Sequence, residues 1–142
     1  MTSRHCVYQH YLNNDVHKFI FQQPDEQAVD EFIADFERIM REHQGPGPIL
    51  LLVDVRPQGI PPFQYTLKQV RSAFARVEIA PAFKAAYLYE KSMLLTILRR
   101  FFNLLGQDND RRFFESTPEP EALQWLLADV KTNLRTQYEQ GE

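Results

Sequence analysis

Hydrophobic and polar positions along the chain change period several times, and each change marks a predicted element. Residues 6–12 and 16–21 are largely apolar runs on either side of an Asn-Asn-Asp turn, which predicts a β-hairpin. Over residues 25–43, apolar side chains recur at intervals of three and four, a spacing typical of an amphipathic helix. The Gly-Pro-Gly-Pro stretch at 45–48 ends that helix.

The rest of the chain alternates between predicted strands and predicted helices. Residues 49–53 (ILLLV) are continuously apolar, as expected of a strand buried on both faces of a parallel sheet. Thr66, followed three residues later by Gln69, has the pattern of a capping box, so we expect the next helix to begin there. The remaining predicted elements are a strand at 83–89, a helix at 92–105, a short strand at 112–114 and a final helix opened by residues 116–119.

This element order, β-β-α-β-α-β-α-β-α, predicts an α/β fold. Strands that alternate with helices are joined by right-handed crossovers, so we expect a mostly parallel five-stranded sheet with helices packed on it. The first strand, joined to the second by a tight turn, is predicted to be the antiparallel N-terminal edge. A chain of 142 residues fits a single domain, with a core at about 6–130 and a polar C-terminal tail at 136–142.

The composition and charge of the chain argue against several classes of function. The mean hydropathy is -0.43, and no apolar run approaches the ~20 residues of a membrane span. The first ten residues lack the apolar region of a secretory signal, and a single cysteine fits a reducing, cytoplasmic setting. A net charge of -3 argues against nucleic acid as a partner. Neither glycine-rich phosphate-binding motif occurs, so we expect no nucleotide cofactor.

Three carboxylates form the strongest catalytic candidate in the sequence. Asp54, Glu90 and Glu115 each stand at or just past the carboxyl end of a predicted parallel strand, where ligands gather in open α/β sheets. Together they could bind Mg²⁺ or act as acid and base. The alternative is structural, since Arg56 and Lys91 are nearby partners and carboxylates favour helix N-termini. We expect the structural role, with no catalytic residue, cofactor or metal.

Histidines and the cysteine in the hairpin are a second candidate group. His5, Cys6, His10 and His17 lie close enough in the sequence to suggest zinc ligands. Strand alternation, however, places His5 on the face opposite Cys6 and His10. We therefore interpret the group as exposed strand histidines and one isolated thiol.

The predicted helix at 92–105 is more apolar than one sheet face requires. Its apolar side chains cover roughly 200° of the helix surface, whereas packing on a sheet needs a stripe of a little over ~100°. The surplus, around Leu95 and Phe102, is expected to contact the final helix, a lipid or a second chain. A homodimer through these residues would place Arg99 at the rim of the interface.

Several segments give the chain a family resemblance. The segments ILLLVDVR, FKAAYLYE and FFESTPEPEALQWLL, in this order of elements, resemble the SpoIIAA-like branch of the STAS superfamily over about 6–130. The resemblance implies a non-enzymatic regulatory or protein-interaction module, which in many members is switched by phosphorylation of a serine after the third strand. Here the matching stretch, residues 54–59 (DVRPQG), keeps an aspartate and a glycine but has no hydroxyl.

We therefore predict a non-catalytic regulatory or protein-interaction module that lacks the phosphorylatable serine. The alternative is a small-molecule or lipid-binding domain of Sec14 type, which would need an apolar pocket of ~300 Å³ or more. The partner itself is not predicted. The interaction surface is expected in the loop after the third strand and at the start of the next helix, at Arg56, Pro57, Gln58, Gly59, Phe63 and Thr66.

Overall fold

A five-stranded sheet, with its strands in the order in which they occur along the chain, forms the centre of the computed structural model of this protein. The structure describes residues 4–57, 60–77, 81–90, 110–115 and 118–128. The strands are β1 (Cys6–Tyr11), β2 (Val16–Phe21), β3 (Ile49–Asp54), β4 (Phe83–Tyr89) and β5 (Asp110–Glu115). β1 pairs with β2 antiparallel, and every other pairing is parallel. The prediction of an α/β fold is confirmed.

Helix α1 (Glu26–Glu42) follows the apolar periodicity of its sequence closely. Asp25 is its N-cap, and the Asp25 Oδ1 atom accepts a hydrogen bond of 2.9 Å from the backbone N–H of Ala28. This contact satisfies one of the N–H groups that the first turn of a helix leaves without a partner. The apolar stripe, which includes Val29, Ile33 and Phe36, is buried against the sheet.

Helix α2 (Phe63–Arg76) begins three residues earlier than the sequence predicted. Its N-cap is Pro62, which makes no side-chain capping bond, so the predicted cap at Thr66 is wrong. Thr66 lies one turn inside the helix, where its hydroxyl donates a 2.6 Å hydrogen bond to the Pro62 carbonyl oxygen. The pattern misled because a threonine can bond back to the carbonyl four residues earlier as well as cap the N–H groups ahead of it.

The two faces of the sheet carry separate apolar cores. On the α1 face, β3 contributes Leu51 and Val53 to a cluster that also contains buried residues of α1 and α2. On the opposite face, Leu50 and Leu52 pack with a helix at residues 119–128, here called α3, which buries Ala122. All six residues of β3 are buried, as the continuous apolar run predicted.

One polar side chain is buried inside the second core. Lys84 of β4 is 3% exposed, and its ammonium donates to the carbonyl oxygens of Trp125 and Leu126 in α3. The same nitrogen lies 4.1 Å from the centroid of the Trp125 ring. These contacts attach α3 to the sheet.

Some predictions fall on parts of the chain that the structure does not describe. The helix predicted at 92–105 lies outside the described residues, and with it the dimer surface at Leu95, Arg99 and Phe102. Gln58, Gly59 and Lys91 also lie outside them. Among the helical segments that are described, none combines the length and apolar character needed to cross a membrane.

Candidate functional site

Asp54 ends β3 and occupies the centre of the edge at which the parallel strands finish. It is only 6% exposed, yet both of its carboxylate oxygens are bound by one neighbouring residue. The Arg56 guanidinium donates from Nε to Oδ1 and from Nη2 to Oδ2, each at 2.9 Å. The Arg56 backbone N–H adds a 3.0 Å bond to Oδ1. We call this set of contacts the Asp54–Arg56 clamp.

The clamp lies in an acidic environment. Its hydrogen bonds raise the pKa of Arg56 above the ordinary value; burial opposes this effect, and the negative charges of Glu90 and Glu119 add to it. Paired, charge-assisted hydrogen bonds of this geometry are among the stronger polar contacts in proteins. Both Asp54 carboxylate oxygens therefore accept hydrogen bonds from Arg56, which is one of the two partners that the sequence offered.

The structure describes the side chains of two of the three predicted carboxylates at this edge, Asp54 and Glu90. Glu115 ends β5 opposite Tyr89, and Glu90 follows Tyr89 directly. The Glu115 side chain lies outside the described part of the structure. The sequence did not predict that Glu119, from the first turn of α3, would be the further charge near Arg56. No local pattern pointed to it, because its position depends on how α3 crosses the sheet.

Glu119 also ties α3 to the N-terminal hairpin. Its carboxylate accepts hydrogen bonds from the Lys18 ammonium and, at 3.1 Å, from the Tyr11 hydroxyl. Burial alone would lower the pKa of Lys18, but the bond to Glu119 and its charge leave that pKa raised. Lys18 is therefore held in its charged form, as the partner of a carboxylate about 100 residues away in the chain.

The loop after the clamp, residues 56–63, is anchored at both ends. Before it, the Val55 N–H donates a 3.0 Å bond to the Leu88 carbonyl oxygen of β4. After it, the backbone N–H and the hydroxyl of Thr66 both donate to the Pro62 carbonyl oxygen, at 3.0 and 2.6 Å. Pro57 is exposed and Phe63 is half-buried. Thr66 is 4% exposed, so its predicted place in that surface is wrong.

The hairpin gathers a second polar group, at its turn. Register pairs His10 with His17, and their rings stack with centroids 4.4 Å apart. His10 Nε2 donates to Asp15 Oδ1 at 2.6 Å, and His17 Nε2 lies 3.6 Å from the same oxygen. Tyr8 completes the group, since its hydroxyl lies 2.7 Å from His17 Nδ1. We call these four residues the hairpin cluster.

The prediction of exposed histidines is confirmed for His10 and wrong for His17, which is half-buried. The side chain of His17 is 12% exposed, and burial, with the nearby His10, lowers its pKa to about 4. His5 lies apart from the cluster, and its Nδ1 donates to Asp25 at 2.8 Å. The hairpin register could have suggested the His10–His17 pair. No local pattern pointed to Asp15 as a third member, because its left-handed backbone (φ 54°) had to be observed.

Cys6 is the fully buried member of the hairpin group, with no solvent exposure. Burial raises the pKa of its thiol to about 12. Because the thiolate is the reactive form of cysteine, this side chain is an inert part of the core.

An open groove lies between the C-terminal ends of α1 and α2. Its volume is about 620 Å³, and it is lined by Met40, Arg41, His43, Gly45, Arg76, Val77 and Pro81. Two arginines and a histidine in an open groove do not provide the enclosed apolar wall that a lipid chain requires.

The comparisons with known proteins give no relative for this chain. No family model matches it, and neither the curated proteins nor the solved structures contain a match. The likeness to the SpoIIAA-like branch of the STAS superfamily therefore remains a prediction from the sequence.

Proposed function

We propose that this chain is a non-catalytic regulatory or protein-interaction module of SpoIIAA-like type, which binds a protein partner through the loop at 56–63. The complete β-α alternation, with a helix at 92–105, belongs to the same proposal. The observation that carries it is the Asp54–Arg56 clamp, which holds the start of the loop at the carboxyl edge of the sheet.

The clamp supports a binding function over a catalytic one because it engages the Asp54 carboxylate within the protein. An acid, a base or a metal ligand at this position would need a carboxylate oxygen facing a substrate or an ion. Both oxygens instead accept hydrogen bonds from Arg56, and the side chain is buried. Asp54 therefore acts on the loop, by fixing the backbone at its first residue.

A loop fixed at both ends suits protein recognition. Ordering a flexible segment on binding costs free energy, so a loop whose two ends are already held retains more of its contact energy as affinity. Pro57 and Pro62 restrict the backbone further, because the ring of proline fixes one backbone angle. Phe63 provides the half-buried aromatic side chain around which binding energy often concentrates at interfaces.

A phosphorylation switch at this loop is not part of the proposal. The two hydroxyl groups at the start of α2 are already engaged. Thr66 is buried and donates to the Pro62 carbonyl oxygen, and the Tyr65 hydroxyl donates to Asp30 of α1. We therefore propose partner binding that does not depend on phosphorylation here. Sec14-type lipid binding is less well supported, because the groove at the other end of α1 and α2 is open and polar.

The test compares the wild type with two matched variants. Each protein is used to capture partners from an extract of the native cell, and a captured partner is then purified so that its affinity for each of the three can be measured. Phe63→Asp alters the loop and places a carboxylate in the first turn of α2, where the helix dipole favours it. Leu12→Asp is the control, since Leu12 is 79% exposed in the hairpin turn at the opposite edge of the sheet.

We expect a partner that the wild type and Leu12→Asp bind equally and that Phe63→Asp binds at least ~10-fold more weakly, about 1.4 kcal/mol. Melting temperatures of all three proteins establish that they are folded. The proposal fails if every captured protein binds Phe63→Asp as well as it binds the wild type. It also fails if Leu12→Asp loses the partner to the same extent.

A further inference from the structure

We propose that the hairpin cluster is a binding site for a late divalent transition-metal ion, zinc foremost, with His10, Asp15 and His17 as its ligands. One ligand atom from each of these residues lies within 4.8 Å of the other two. This inference concerns the opposite edge of the sheet from the loop at 56–63 and is independent of the proposed function.

The distances within the cluster are close to those of a coordinated ion. Ligand atoms on a tetrahedral zinc, with bonds of about 2.0–2.1 Å, stand roughly 3.3–3.4 Å apart. His17 Nε2 already lies 3.6 Å from Asp15 Oδ1, beyond hydrogen-bond distance. His10 Nε2 lies 2.6 Å from the same oxygen, across a proton that the ion would replace. Zinc binding would require that contact to open by roughly 0.7 Å and the two rings, now parallel within 6°, to tilt so that both nitrogens face one ion.

The second layer of contacts fits metal binding as well. A histidine that binds a metal through one nitrogen usually donates the proton of its other nitrogen to an acceptor, which fixes the ring. His17 has such an acceptor, since the Tyr8 hydroxyl oxygen lies 2.7 Å from its Nδ1. The Tyr8 ring is stacked on the His17 ring, with centroids 5.9 Å apart, and the Arg38 guanidinium lies 5.3 Å from the Tyr8 centroid.

The ligand chemistry selects the class of ion. Two imidazoles with one carboxylate suit zinc, cobalt, nickel or copper, whereas magnesium and calcium prefer sites made of oxygens alone. Three protein ligands leave at least one position for water, which is the arrangement of open zinc sites. A bound ion would connect β1, the turn and β2 by three coordinate bonds.

Rigid positioning distinguishes this group from scattered surface histidines. His10 and His17 are directly paired across the hairpin, so their separation is set by backbone hydrogen bonds. Asp15 immediately precedes β2, and its left-handed backbone (φ 54°) holds it beside both rings. The backbone around the three ligands is therefore already in place when an ion binds, while the side chains, of which that of Asp15 is 69% exposed, must turn toward it.

The test is titration of the full chain with ZnCl₂, followed by calorimetry and thermal unfolding, with MgCl₂ and CaCl₂ as ions of the wrong class. We expect zinc to raise the melting temperature by ~5 °C or more at a ~100-fold excess over its dissociation constant. Magnesium and calcium should leave it unchanged. His10→Ala and Asp15→Asn should each weaken zinc binding at least ~10-fold.

His5→Ala is the matched control, because His5 bonds to Asp25 at the other end of β1 and should not affect zinc affinity. Nuclear magnetic resonance of the imidazoles adds a readout that does not depend on stability. Zinc should shift the signals of His10 and His17 and leave that of His5 in place. The proposal is overturned if zinc changes neither the melting temperature nor the imidazole signals of the wild type. The hairpin cluster would then be an ion pair and stacked rings without a metal-binding role. It is equally overturned if His10→Ala and Asp15→Asn bind zinc as tightly as the wild type does.

Discussion

Removing the guanidinium from the Asp54–Arg56 clamp should destabilise the protein more than removing an ordinary surface charge. In Arg56→Met, Asp54 keeps only the backbone N–H bond to one carboxylate oxygen and loses both side-chain bonds. Breaking a fully buried ion pair in this way costs about 3–5 kcal/mol. Because the Arg56 side chain is 27% exposed, we expect about 2–3 kcal/mol here.

A double-mutant cycle separates the pair from its surroundings. Asp54→Asn keeps the acceptor for the backbone bond but removes the charge, and it should cost about 1–2 kcal/mol. The double variant Asp54→Asn/Arg56→Met should cost less than the sum of the two single changes, with a coupling of about 1.5 kcal/mol. Glu42→Gln is the control, because its pair with Arg38 is exposed and should contribute less than about 0.5 kcal/mol.

The measurement is unfolding in urea, monitored both by the fluorescence of the single tryptophan, Trp125, and by circular dichroism. Coincident transitions from the two probes establish that unfolding is two-state. If the two single costs simply add, or if Arg56→Met matches the Glu42→Gln control, the clamp does not stabilise the loop and our argument from it is refuted.

Three further predictions concern buried polar groups. The pKa of Cys6 in the folded protein, about 12, exceeds its ordinary value of 9.0. The contribution of the Cys6 thiol to folding stability is therefore complete below pH 9 and is lost as the pH rises toward 12. Wild type should therefore lose about 1 kcal/mol between pH 8.5 and 10, and Cys6→Ala clearly less; equal slopes would contradict this. Burial raises the pKa of Glu31, but hydrogen bonds from the Cys6 and His5 backbone and other contacts leave that pKa lowered overall. The contribution of the Glu31 carboxylate to folding stability is therefore lost as the pH falls through its folded pKa. Glu31→Gln should cost about 1 kcal/mol at pH 7 and progressively less as the pH falls through the folded pKa of Glu31, and a cost that does not change with pH would oppose this. Lys84→Met should cost about 1–3 kcal/mol and shift the fluorescence of Trp125, because the ammonium lies 4.1 Å from that ring; an unchanged spectrum would count against the contact.

The parts of the fold that the sequence predicted well are those set by local pattern. β3 was identified from its continuous apolar run, and α1 from its periodicity and from the Gly-Pro-Gly-Pro stretch that follows it. The start of α2 was missed because Pro62 carries no capping side chain, whereas Thr66 imitates a cap while bonding backward. Element type follows from the pattern of many residues, but a boundary depends on which of two local hydrogen bonds forms.

The same distinction, between local patterns and contacts of distant segments, applies to the candidate sites. Arg56 could be identified as a partner for Asp54 because the two are separated by one residue. Glu119 could not, since its contacts with Lys18 and Arg56 follow from the path of α3 across the sheet. Contacts between distant segments depend on helix packing, which a single sequence does not specify.

The two proposed sites should act independently, and this independence is itself testable. His17 and Ile20 are three residues apart on β2, about 10 Å at ~3.3 Å per residue, and Ile20 pairs with Asp54. Substitutions at that separation, with no shared partner, usually have additive effects. Phe63→Asp should therefore leave zinc affinity unchanged, and His10→Ala should leave partner affinity unchanged. If either change affects both, the sheet transmits strain between its edges, and binding at one edge would then regulate binding at the other.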